Sequence, residues 1–102
     1  SSHVEEYINS YSDHIKKLKF IRKHCQDDFL SAFGFMLINF KNTQINKNTL
    51  KRILITVHQE MEKNVEFWKA TEHILRTVHP DEDWSLFVEI LNEFKKDTFK
   101  KT

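Results

Sequence analysis

Hydrophobic residues at the start of the chain recur in alternating four- and three-residue steps: Val4, Ile8, Tyr11, Ile15, Leu18 and Cys25, with Arg22 interrupting the series and Ile21 beside it. That spacing places one apolar stripe along a helix of about five to six turns. Glu5 and Glu6 open the segment, and Lys16, Lys17, Lys19, Arg22 and Lys23 crowd toward its end. This charge gradient complements the helix dipole. The period stops too soon for a coiled coil, so the segment reads as one helix of a bundle.

Asp27 and Asp28 then offer an N-cap and an acidic first turn. The run from Phe29 to Phe40 that follows is apolar nearly all the way round. A helix without a polar face has to be covered on most sides, so this segment is expected in the middle of the fold. Gly34 inside it costs about 1 kcal/mol of helix propensity relative to alanine, which predicts a neighbouring helix crossing close to the backbone there.

The polar stretch from Lys41 to Asn48 predicts a loop, with Asn48 or Thr49 capping the next helix and Ile45 returning to the core. Leu50, Ile53, Leu54, Val57 and Met61 continue in helical register, followed by Val65, Trp68, Ile74, Leu75 and Val78. One unbroken helix over 49–78 would be about 45 Å long, too long for a domain of this size. The polar passage Glu60–Asn64 is the predicted break. His79-Pro80 ends the fourth helix, since the residue before a proline leaves the helical region. Pro80, Asp81, Glu82 and Asp83 are expected to open the fifth, whose stripe is Trp84, Phe87, Val88, Leu91 and Phe94. Residues 95–102 read as a frayed basic tail carrying Phe99. The prediction is an all-α fold, a compact antiparallel bundle of about five helices, or four if the third segment is continuous. Residues 1–102 form one domain, expected to be a piece of a longer protein.

Composition narrows the function. One glycine and one proline in 102 residues leave little backbone for the tight turns that phosphate and oxyanion loops require. Nine phenylalanines and two tryptophans predict a core of large rings. The net charge of +1 points to no dedicated polyanion partner. A single cysteine suits a reducing, intracellular setting, cytoplasmic or nuclear. No apolar run reaches membrane-spanning length, so no membrane partner is expected.

Candidate chemistry is sparse. His58 and Glu62 stand four residues apart on one helix face, and His24 and Asp28 are spaced likewise across a helix junction. Neither belongs to a Glu-x-x-His or His-Glu-x-x-His string, and neither reaches the ligand count of a metal centre. Cys25 follows His24, but adjacent helical residues do not face one another, and Cys25 continues the apolar stripe, so it reads as a buried thiol. The expectation is no enzyme and no cofactor.

Surplus aromatics point elsewhere. Phe67 and Trp68 are adjacent and cannot share one narrow stripe, and at least one of Phe35, Phe67 and Phe99 is expected to be exposed or half covered. Aromatics rimmed by charge mark protein-binding surfaces. The leading expectation is an adaptor or scaffold domain that binds a partner helix, another helical domain or a second copy through Phe35, Phe67 and Trp68. The alternative is a nucleic-acid-binding accessory domain using Lys16, Lys17, Lys19, Arg22 and Lys23, with Tyr11 and Phe20 nearby as aromatic platforms.

Overall fold

The apolar stripes fold into five α-helices: α1 (Ser2–His24), α2 (Phe29–Asn42), α3 (Lys47–Glu60), α4 (Val65–Val78) and α5 (Ser85–Phe99), with a short 3-10 turn over Gln26–Asp28. The computed structural model describes the backbone of residues 2–99 and the side chains of residues 11–99. No strand occurs among the described residues. Each helix packs on two others in the cyclic order α1, α3, α5, α4, α2, closing a ring around one core. Chain neighbours run antiparallel, and helices two apart in sequence run parallel. Phe29 and Phe33 of α2 meet Phe67 near the start of α4, while Lys41 at the end of α2 reaches Glu82 just past α4.

The break after α3 falls where the polar passage predicts it. Asn64 is the N-cap of α4, its side chain accepting from the Glu66 amide. Arg22, the residue that interrupts the stripe of α1, explains its own place here. Its Nε donates to the Met61 carbonyl at 2.9 Å, satisfying the C-terminal end of α3, and its guanidinium lies over the Phe29 ring. A helix end leaves carbonyls without partners, and a basic side chain is a natural donor to them.

Gly34 meets its expectation closely. A Cβ there would stand 2.9 Å from Cγ2 of Ile74, so α4 does cross against the glycine. The α2–α3 loop is shorter than predicted, and the cap is Asn46 rather than Asn48 or Thr49. Asn46 takes the extended conformation and its Oδ1 accepts from the amides of Asn48 and Thr49. Ile45 does return to the core.

Four expectations are corrected. The α2 helix is not enclosed: Ser31, Phe35 and Asn39 lie along an exposed face, because a five-membered ring leaves every helix one side to solvent. Cys25 is exposed, because α1 ends at His24 and the chain turns before the stripe can carry the thiol inward. The acidic run after Pro80 does not open α5; the helix begins at Ser85, with Asp83 Oδ1 accepting from the Ser85 amide. Trp84 therefore sits before the helix, buried, its indole N–H donating to the His79 carbonyl at 3.0 Å and closing the link. Finally, α5 continues through Phe99 where a frayed tail from Lys95 was expected. Lys95 bonds Glu72 of α4 and the half-buried Phe99 packs on Phe94, which holds the last turn. The remaining tail residues, 100–102, lie outside the described residues.

Candidate interaction surface

The three aromatics singled out as partner anchors go to three different places. Trp68 is 0% exposed. Its ring packs on Phe33, Phe67 and Phe94, and its indole N–H donates to the Glu62 carbonyl at 3.1 Å. It is a core residue, which corrects its assignment as a surface anchor. Phe67 is half-buried and stacks on Phe29 and Phe33, with centroids 5.5 and 5.6 Å away. Adjacent residues can both be covered because Phe67 lies against Phe29 and Phe33 of α2 while Trp68 sits deeper, among Phe33 of α2, His58 of α3 and Phe94 of α5. Phe35 is 73% exposed, the most exposed large hydrophobic side chain among the described residues.

Phe35 owes its position to helical arithmetic. Phe33, Gly34, Leu37 and Ile38 turn inward toward the core and α4, and Phe35 falls on the opposite side of the same turns with Ser31 and Asn39. Only small polar groups share its face. An isolated apolar residue on a surface needs no explanation. A phenylalanine this open on a helix packed closely beneath it is, however, an accessible ring on a fixed backbone.

The five cations of the alternative reading also divide. Lys19 pairs with Glu60 at 2.7 Å, and Arg22 is engaged with Met61 and Glu62. Both thus tie α1 to the end of α3. Lys16, Lys17 and Lys23 remain exposed on the outer face of α1, with no ion-pair partner among the described residues. Phe20 stands among them, 63% exposed, its ring 4.4 Å from that of His24. Tyr11, in contrast, is turned inward: its ring lies under the Arg52 guanidinium and its hydroxyl shares a hydrogen bond with Thr56. Sequence reasoning named Phe20 only as a neighbour of the basic run; its place at i+4 from Lys16 and i−3 from Lys23 was the signal.

The histidine pairs resolve differently. The His58 imidazole is walled by the rings of Phe99, Phe94 and Trp68, at centroid distances of 5.3, 5.9 and 6.3 Å. Burial, and then the charge of Lys63, hold its pKa below the ordinary histidine value. The Glu62 carboxylate turns away, toward Arg22 and the Asn64 amide. His14 packs edge-on against Phe40, its Nδ1 buried without a hydrogen-bond partner. Burial and then Lys17 lower its pKa, against a smaller upward pull from Asp13. Among the described residues no three metal-ligating side chains converge. No described helix is long and apolar enough to cross a membrane. The chain matches no protein-family model, no curated protein and no solved structure.

Proposed function

We propose that this domain is a non-enzymatic intracellular adaptor or scaffold module that receives a helical segment of another protein on the outer face of α2, with Phe35 as its anchor. The supporting observation is the 73% exposure of Phe35 on a helix whose opposite side is locked by Gly34 against Ile74. An aromatic ring offers a large apolar contact area, and a few such anchors supply most of the affinity of an interface. Ser31 and Asn39 form the polar rim. Phe67 and Trp68 serve from beneath, fixing the α2–α4 packing that presents the ring.

The test replaces Phe35 by glutamate. Parent and variant are immobilised side by side, and the proteins each retains from a cell extract are identified by mass spectrometry. The expected result is a discrete partner held by the parent and lost by the variant, with far-UV circular dichroism unchanged. The same proteins retained by both would overturn the reading.

The nucleic-acid alternative keeps Lys16, Lys17 and Lys23 around Phe20, while Lys19 and Arg22 are engaged within the fold. Three phosphate contacts correspond to a log–log salt slope of about −3 on duplex DNA. Binding at low salt with that slope would favour it over the partner-helix reading.

A further inference from the structure

The surface carries two exposed apolar residues set among charges of opposite sign, one on α1 and one at the start of α5. On α1, Phe20 is 63% exposed, with Lys16 and Lys17 four and three positions before it and Lys23 three after. At the start of α5, Leu86 is 55% exposed, with Glu89 three positions after it on the helix and Glu82 and Asp83 in the exposed link that leads into α5. All six charged residues are exposed. The sequence reinforces the contrast. From residue 14 to residue 24 there are five Lys and Arg and no acid, and from residue 80 to residue 94 there are five acids and no Lys or Arg. Lys41 pairs with Glu82 and Lys51 with Glu93, which leaves Asp81, Asp83 and Glu89 without an ion-pair partner among the described residues.

Helix dipoles favour lysine late in α1 and acids just before α5, so the charges alone would need no further account. Dipoles give no reason for a phenylalanine and a leucine to stand in solvent at the middle of each cluster. An apolar centre with a charged rim is the anatomy of an interface. Nor can one molecule satisfy itself, because α1 and α5 are not neighbours in the ring: α3 lies between them.

We propose that the chain assembles head to tail, the Phe20 patch of one copy seating on the Leu86 patch of the next. The two patches differ, so the contact is heterologous, and each added copy presents a fresh patch until a ring closes or a filament extends. Exposed charges steer such a contact and are screened by salt, so the assembly is weak and salt-sensitive. Phe35 lies on α2, outside both patches, and the proposal does not depend on it.

Analytical ultracentrifugation of the 102-residue chain tests this at low salt and at about 1 M salt, where the Debye length is about 3 Å. At low salt the mean mass should rise above 12.3 kDa with concentration, and high salt should return it to that value. F20S/K16Q/K23Q and L86S/E89Q should each stay monomeric with unchanged circular dichroism. Their equimolar mixture should stop at a two-chain particle, since each retains one intact patch. A mass of 12.3 kDa at every concentration, or variants that associate like the parent, would overturn the proposal. So would loss of assembly in Phe35→Glu. An oligonucleotide bound through Phe20 by a chain that stays monomeric without it would assign the basic patch to nucleic acid instead.

Discussion

Gly34 lets α4 pass directly against the backbone of α2. A glycine amid a run of large apolar residues weakens the helix unless something needs the space, and the Ile74 methyl occupies that space. Gly34→Ala would gain about 1 kcal/mol of helix propensity but would drive a Cβ to 2.9 Å from the Ile74 Cγ2 methyl, which the stiff χ1 of a β-branched side chain in a helix holds in place. Overpacking of this kind typically costs about 1–3 kcal/mol. The expected outcome is a net loss of stability on urea denaturation, and a gain would show that α2 and α4 can separate freely. Cys25 and Trp68 are the counterexamples. Both follow the apolar pattern, yet one is exposed and the other is sealed in the core. For Cys25 the pattern ran one residue past the point where α1 turns. For Trp68, adjacency to Phe67 predicts that the two cannot share one narrow stripe, whereas the rings meet edge to face at 5.2 Å and both pack on Phe33.

At the scale of elements, the number and type of helices were legible because each has its own apolar stripe. The ends were less so. Turn chemistry decides them, and this chain has almost no glycine to mark it. The end of α2 illustrates the point. Gln44 takes φ 54, in the left-handed region, while its amide bonds the Lys41 carbonyl and the Ile45 amide bonds the Phe40 carbonyl. That is a Schellman closure, where glycine is the usual residue, built here on glutamine with Ile45 packed on the core. A non-glycine residue there carries a penalty of about 1 kcal/mol. Gln44→Gly should therefore raise stability by about that amount, read as a higher denaturation midpoint at unchanged m-value. A lower midpoint would mean that the glutamine side chain makes a contact of its own. The start of α5 departs from its composition for a related reason. Asp81 to Asp83 carry the composition of a first turn, but the buried Trp84 holds the link short of helix until Ser85.

At the scale of the whole molecule, the ring of five helices has consequences that no single stripe contains. It leaves α2 one open side, and it sets the basic and acidic patches on non-adjacent helices. It also fixes how stability depends on pH. His14 and His58 both have folded pKa values below the ordinary 6.5, chiefly through burial. The unfolded chain therefore binds protons first as pH falls, and stability declines from about 7.5 through 6.5 until the folded values are passed. Glu72 adds a second window. Burial raises its pKa, but the hydrogen bonds and charges of Lys95 and Arg76 outweigh this and hold it below the ordinary 4.5. Its contribution is present above that value and is lost as pH falls through the folded one. Thermal melts should thus show a midpoint falling in two steps on acidification, with the upper step reduced in His58→Phe. A midpoint flat between pH about 7.5 and 5.5 would contradict the burial of both imidazoles.

The functional reading stands on Phe35 being a surface ring, and that was only half legible: the sequence marked a surplus of aromatics, while the placement of each depended on how the ring of helices closes. The denaturation midpoint of Phe35→Glu tests it most directly. A charge placed on an open face shifts stability by no more than about 0.5 kcal/mol, so the variant should unfold with the parent, its helical signal intact. A loss of several kcal/mol, of the size that a charge forced into a core produces, would place Phe35 inside and contradict the account.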